Sequence, residues 1–198
     1  MKKINLLLIF IAIVGSIFIT FKKDNNIVFI LKDLSIILTI NAIYILMKIF
    51  KFKIDEGIIF IYVLFIFLAH FLGVTCELYN KIYWYDKFTH FLSGIISGLG
   101  AIYLFIKFSD KKNKNIVFNT LFIIAFSLMI ASLWEIFEYV SSILFNVDPQ
   151  KVATTGVNDT MGDIIVAFLG SIIVSLMYKY EIKNNNNLLI KKFINVLK

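Results

Sequence analysis

Asp159-Thr-Met-Gly-Asp163-Ile-Ile-Val-Ala-Phe-Leu-Gly170 opens an apolar run long enough to cross a bilayer and sets two carboxylates four positions apart within it. That spacing puts both on one face of a helix. A carboxylate at membrane depth costs roughly 2.5–3.5 kcal/mol on insertion scales, so such residues are rare and tend to work. Two other segments carry matching groups: Asp86 and His90, four apart, and Glu135 and Glu138, three apart. Whether the three pairs meet depends on how their helices run.

The chain around this stretch has 198 residues, of which 60% are hydrophobic. Its mean hydropathy is +0.86. Soluble chains run nearer half apolar. The reading is an all-α polytopic membrane protein, a bundle of six transmembrane helices with a C-terminal amphipathic tail. The spans fall at Ile4–Phe21, Ile27–Phe50, Ile58–Cys76, Lys87–Phe108, Ile116–Phe145 and Thr160–Tyr180. Most exceed the roughly 18 apolar residues that mark a spanning helix. The first follows Met1-Lys2-Lys3 like a secretory signal, but it outruns an h-region and no Ala-x-Ala site follows, so it reads as a retained span. Residues 1–183 form the transmembrane domain and 184–198 a cytoplasmic tail beyond the break Asn184–Asn187. In the tail Leu189, Ile190, Phe193, Ile194 and Leu197 share one face, opposite Lys191, Lys192, Asn195 and Lys198, a pattern expected to lie on lipid.

The single cysteine, Cys76, excludes an internal disulfide. The net charge of +7 comes from lysine, for the chain has no arginine. That argues against bidentate base or phosphate readout, and no nucleic acid is expected as partner. The lysines instead record orientation. With six spans, fourteen of them fall on the side of the termini, among them Lys48, Lys51, Lys53, Lys107, Lys111, Lys112 and Lys114. Six fall opposite: Lys22, Lys23, Lys32, Lys81, Lys87 and Lys151. This places both termini in the cytoplasm and the protein in the cytoplasmic (inner) membrane. Four carboxylates, including Asp110, lie on the inner side and nine on the outer, giving +10 inside and −3 outside.

The same topology sets all three pairs at one depth near the extracytoplasmic face. Span four enters at Asp86 and His90, span six enters at Asp159 and Asp163, and span five leaves past Glu135. Glu135 lies 19 residues beyond Ile116, roughly 28 Å along the axis. His70, on span three, lies near the same side. Five clustered carboxylates must be protonated, paired or bound to metal. Asp86, His90, Glu135, Glu138, Asp159 and Asp163 are the candidate metal ligands, suited to Mg²⁺, Mn²⁺, Fe or Zn²⁺. Pairs at three or four residues on adjacent helices resemble the construction of di-metal bundles. His90, Glu135 and Glu138 are the candidate acid–base groups.

Each feature also has a structural reading. Thr160-Met-Gly-Asp163 has the form of a capping box, and Asp159 or Asp86 the form of an N-cap. His70 reads as a satisfied interior histidine and Cys76 as packing. Tyr83, Trp84 and Tyr85 read as an interfacial aromatic belt. Trp134 and Tyr139 fit either the cluster or lipid. Gly94-x-x-x-Gly98 reads as close helix packing.

Tyr85-Asp86-Lys-Phe-Thr-His90-Phe-Leu-Ser-Gly, Trp134-Glu135-Ile-Phe-Glu138-Tyr139, and Asn158-Asp159-Thr160-x-x-Asp163 followed by Gly170 resemble the YjdF-type inner-membrane proteins. More distantly, the order Asp-Lys…His, Glu, Asp…Asp…Gly is similar to the VanZ-like proteins linked to teicoplanin resistance. This chain lacks their Arg before the last acidic motif, and has Phe168 and Leu169 where they carry Asn before the closing Gly. The resemblance implies a polytopic envelope protein with a shared polar centre and supplies no reaction. The residues leave three readings. The first is a metal-dependent hydrolase or transferase acting on a lipid or lipid-linked envelope substrate. The others are a proton-coupled transporter and a non-catalytic envelope protein whose polar cluster clamps its helices.

Overall fold

A computed structural model of the protein describes residues 1–22, 27–49, 51, 53–108 and 115–197. Of the residues used to read topology, Lys23, Phe50, Asp110, Lys111, Lys112, Lys114 and Lys198 lie outside that set. The described residues are helical, with no strand. They form two compact units, Met1–Thr89 and His90–Lys198.

The first unit holds α1 (Lys2–Lys22), α2 (Ile27–Ile49), α3 (Glu56–Ile66) and the four-residue α4 (Leu78–Lys81). α5 (Tyr85–Phe108) starts in it. Asp55 caps α3, its Oδ1 accepting the Gly57 N–H at 2.7 Å. The third expected span begins here, two residues before Ile58, and changes its winding at Phe67. From Phe67 to Thr75 the chain is π-helical. This wider turn seats Phe71 against Gly15 and Tyr79 against Gly73, where an added Cβ would lie 2.7 and 2.4 Å from the rings. Ile36, Ile40, Ile59 and Val63 form a dry centre, each at most 1% exposed. Polar groups sit above and below it: Asn5 Nδ2 donates to Glu56 Oε2 (3.1 Å), and Ser16 Oγ donates to Asp33.

The second unit contains α5 from His90 onward, α6 (Ile116–Phe145), the short α7 (Val152–Thr155), α8 (Asn158–Lys183) and α9 (Leu189–Leu197). Its long helices bury small and polar residues and expose apolar ones. α6 buries Asn119, Ile123, Ser127, Ala131 and Glu135, one residue per turn. Leu121, Leu133, Ile136 and Phe137 face outward, each more than half exposed. Small and polar groups against neighbouring helices, with apolar groups outside, is the pattern a lipid solvent imposes.

Among the described residues, five helical stretches are long and apolar enough to cross a membrane: Lys2–Lys22, Glu56–Thr75, Tyr85–Ile106, Ile116–Phe145 and Asn158–Lys183. α2 occupies the place of the remaining expected span. The 30-residue α6 has the expected bounds. α8 starts two residues before Thr160 and takes Val157 as its N-cap, with no side-chain cap. Thr160 is therefore inside the helix and opens no capping box.

The tail differs from its expectation. α9 forms, but Ile190 and Ile194 are buried, 3% and 8% exposed, in the core with Ala101, Ile102, Ile123 and Val174. Glu181, itself 1% exposed, accepts N–H bonds from Leu188 (3.2 Å), Ile190 (3.0 Å) and Lys191 (2.8 Å). One carboxylate thus satisfies the otherwise orphan donors at the start of α9 and docks its apolar face on protein. The side chains of Asn195 and Leu197 lie outside the described residues.

α5 and α8 touch backbone to backbone. A Cβ on Gly94 would lie 2.0 Å from the Ala167 carbonyl oxygen, and one on Gly170 would lie 2.3 Å from that of Phe91. Gly94→Ala should therefore destabilise the protein by about 1–3 kcal/mol, the usual cost of overpacking. Gly100, whose added Cβ meets nothing closer than 3.9 Å, is the control. Gly100→Ala should be neutral or stabilising, since Ala is the better helix former. Thermal unfolding of the two variants in detergent measures the difference.

Candidate functional site

The helix directions of the second unit follow from its contacts. Gly94 meets Ala167 and Gly98 meets Val174, so α5 and α8 run parallel. Asn119 Nδ2 donates to the Tyr178 hydroxyl (2.9 Å), and two turns on Ser127 Oγ donates to the carbonyl of Gly94 (3.3 Å), which meets Ala167, so α6 runs against α8. Four residues back from Gly94 is His90, and four back from Ala167 is Asp163. Sixteen residues on from Asn119 is Glu135, and sixteen back from Tyr178 is Gly162. His90, Glu135 and Asp163 thus stand at one end of the unit. One turn earlier on α8 is Asp159, and one turn earlier on α5, on the face of His90, is Asp86.

Within that end the polar groups sort into separate partnerships. His90 Nε2 lies 3.8 Å from Asp163 Oδ1, with the side chains only 11% and 3% exposed. Asp159 is buried, and its Oδ2 lies 3.5 Å from Lys151 Nζ. Glu135 is buried and held by Gln150, whose Nε2 donates to the Glu135 carboxylate (3.0 Å) and to its backbone carbonyl (3.1 Å). Glu138, a 60° step round α6, is half-buried, and its Oε1 accepts the Trp134 indole N–H at 2.9 Å. Trp134 and Tyr139 point outward, 51% and 58% exposed.

The partners Gln150 and Lys151 come from the loop between α6 and α8. Asp148 organises that loop, its two carboxylate oxygens accepting the N–H groups of Val152 (2.7 Å) and Ala153 (3.0 Å) to start α7. Lys151 sits in the left-handed region (φ 51°), as does Asn146 (φ 51°) where α6 ends. The residue pattern marks Lys151 only as a loop cation and gives Gln150 no role. One signal does stand in it: Asp148-Pro149 just before a short helix-forming stretch marks a cap.

Asp86 and His90 are half-buried and Asp163 is buried, and each offers one donor atom. Together they make a set of two carboxylates and one imidazole, a donor chemistry that suits Zn²⁺, Mn²⁺ or Fe²⁺. Glu135, Glu138 and Asp159 are each engaged by a different neighbour.

His70 stands apart, in the first unit. Its Nδ1 lies 2.9 Å from Thr39 Oγ1 and its Nε2 lies 3.1 Å from Ser35 Oγ, so both ring nitrogens are satisfied. Of the three aromatic residues before Asp86, Tyr83 is fully exposed and Trp84 is 58% exposed. Tyr85 instead turns inward, 6% exposed, and its hydroxyl donates to the Leu68 carbonyl at 2.9 Å.

A family model described as predicted membrane protein (DUF2238) matches residues 4–184. The chain belongs to the DUF2238 family. YjdF is a member of that family, so the Asp86–His90, Glu135–Glu138 and Asp159–Asp163 motifs lie in matched sequence. The match spans α1 to the end of α8 and stops before α9. The membership and the apolar helices together give a multi-pass membrane location. No curated protein and no solved structure matches the chain.

The geometry distinguishes Gln150 from Glu138. Gln150→Ala removes both donors from a buried glutamate and should cost about 1–3 kcal/mol. Glu138→Gln, at the helix rim, should stay within about 0.5 kcal/mol of wild type. Denaturant titration of the micelle-bound protein compares them.

Proposed function

We propose that the protein is a six-span protein of the cytoplasmic membrane, with both termini in the cytoplasm. In this reading His90 and Asp163, with Asp86 on the preceding turn of α5, hold a divalent ion used on a lipid or lipid-linked envelope substrate. The observation that carries it is the pairing of His90 with the buried Asp163 at 3.8 Å, with Asp86 one turn along the same helix from His90. A structural histidine in an apolar bundle is usually satisfied by hydroxyls or carbonyls, as His70 is. His90 faces a carboxylate, and a second carboxylate precedes it on the helix. These two carboxylates and one imidazole supply a first coordination sphere, and a bound ion would offset the charge that burial penalises.

A divalent ion there would be held by Asp86, His90 and Asp163 and would supply Lewis-acid chemistry toward an ester or phosphoryl oxygen. The chain's own part is to orient and to move protons. Glu135, level with the site and steered by Gln150, is the group placed to take a proton from an attacking water or hydroxyl. Lys151 and Asp159 fix the loop beside it. The envelope substrate rests on the resemblance of the residue pattern to the VanZ-like proteins. Six spans follow if α2 crosses the membrane as the other five long helical stretches do.

Metal analysis of detergent-purified protein tests this reading. Wild type should carry about one ion per chain, and Asp163→Ala and His90→Ala should lose it. Glu138→Ala, outside the set, should keep it. Folded wild type without metal after growth in metal-replete medium would sink the proposal. Metal retained in every variant would assign the ion elsewhere. Orientation is tested separately with alkaline phosphatase fusions. A fusion after Gly156 should be active and one after Lys183 inactive, and the reverse pattern would invert the topology.

A further inference from the structure

A cavity of about 380 Å³ opens in the first unit, lined by Ile19, Lys22, Thr75, Cys76 and Lys81. Its walls are the last turn of α1, the end of the π-helical segment and the end of α4. Two lysines from separate elements reach it. Lys22 Nζ is held over the Phe18 ring at 4.8 Å, and Lys81 Nζ donates to the Cys76 carbonyl at 2.7 Å. Glu77 Oε2, 3.9 Å from Lys81 Nζ, offsets one of these charges, leaving the three groups at net +1.

Thr75 adds an independent sign. Its buried Oγ1 has no hydrogen-bond partner among the described residues. Thr39, Thr120 and Thr155 each turn their hydroxyl onto the carbonyl four residues back, at 2.8, 2.6 and 2.9 Å. Thr75 is the last residue of the π-helical stretch, and there the carbonyl four residues back, that of Phe71, accepts the Cys76 N–H at 2.9 Å. A buried hydroxyl without a partner costs free energy, and a turn of the Thr75 side chain about χ1 toward the cavity it lines would let an occupant satisfy it.

The surroundings give the level in the membrane. Phe18 and Phe21 are 58% and 71% exposed near the end of an apolar helix, and Tyr83 and Trp84 follow α4 on the outside. Exposed aromatic rings beside lysines at helix ends mark the head-group layer. A net charge of +1, a hydroxyl donor and an apolar wall at that level complement a phosphodiester that carries −1 and has acyl chains attached.

We propose that this cavity binds the phosphate of an anionic glycerophospholipid, bridged by Lys22 and Lys81 and accepting the Thr75 hydroxyl proton. The site is separate from the acidic end of the second unit, and its test does not depend on metal there. Native mass spectrometry of delipidated protein in detergent provides it, with phosphatidylglycerol, phosphatidylcholine and inorganic phosphate as probes.

Phosphatidylglycerol should bind more tightly than zwitterionic phosphatidylcholine. The double variant Lys22→Gln/Lys81→Gln should lose on the order of fivefold in affinity per lysine, and Thr75→Val a few-fold with no change of charge. Lys22→Arg/Lys81→Arg should keep the preference. If the glutamine variant does not fold, the comparison of Thr75→Val with the arginine variant still decides. Equal binding of the two lipids overturns the proposal, as does unchanged binding by a folded glutamine variant or by Thr75→Val. Displacement of phosphatidylglycerol by millimolar inorganic phosphate would make the cavity a site for free anions and overturn the lipid assignment.

Discussion

The contact between the backbones of α5 and α8 at Gly94 and Ala167 fixes most of the geometry of the second unit. No side chain fits between the two helices there: a Cβ on Gly94 would lie 2.0 Å from a carbonyl oxygen. Helices that meet so closely are locked in register as well as in distance, and the register is parallel. One turn back from the contact, His90 and Asp163 come opposite each other without either side chain having to reach. In water such a contact would compete with the burial of larger apolar groups. In lipid, where tails are as apolar as leucine, close approach and polar contacts supply the association instead. The glycines and the histidine–carboxylate pair are therefore parts of one arrangement.

Much of this arrangement is legible in the residue pattern. The six apolar runs match α1, α2, the α3–π stretch, α5, α6 and α8 to within two or three residues at their ends, because a spanning helix must satisfy its own backbone and so shows up as an unbroken apolar run. Asp86, His90, Glu135, Asp159 and Asp163 are at corresponding ends of their helices, as alternating helix directions require. The glycine spacing Gly94-x-x-x-Gly98 points to the close contact. The partner Gly170 is visible as well, though nothing in the pattern joins it to Phe91.

Other features lie beyond pattern. A π-helical stretch from Phe67 to Thr75 has the same composition as an α-helix and differs only in which carbonyl each N–H selects. Tyr85 is indistinguishable in sequence from its neighbours Tyr83 and Trp84, yet only Tyr85 turns inward, toward a carbonyl seventeen residues earlier in the chain. The tail's two faces are plain, but its docking depends on Glu181, eight residues before Leu189, whose carboxylate is buried where a surface carboxylate is expected. An amphipathic face states that something apolar covers it, and it is silent on whether that is lipid or protein.

Charge shows most clearly how far composition reaches. Five carboxylates at one membrane depth suggest one shared solution, an ion held by all of them. Burial penalises each charge separately, and each can be met by the nearest adequate partner. Lys151 meets Asp159, Gln150 meets Glu135, and the Trp134 indole meets Glu138. Two of these three partners come from a single loop tied down by Asp148, a connection with no apolar signal of its own. The loop thus engages two of the six candidate residues, and a residue of α6 itself engages a third. Glu135 is engaged through a neutral amide. Asp159 faces an ammonium instead, and that pairing, which ties the loop to the start of α8, fits a structural part.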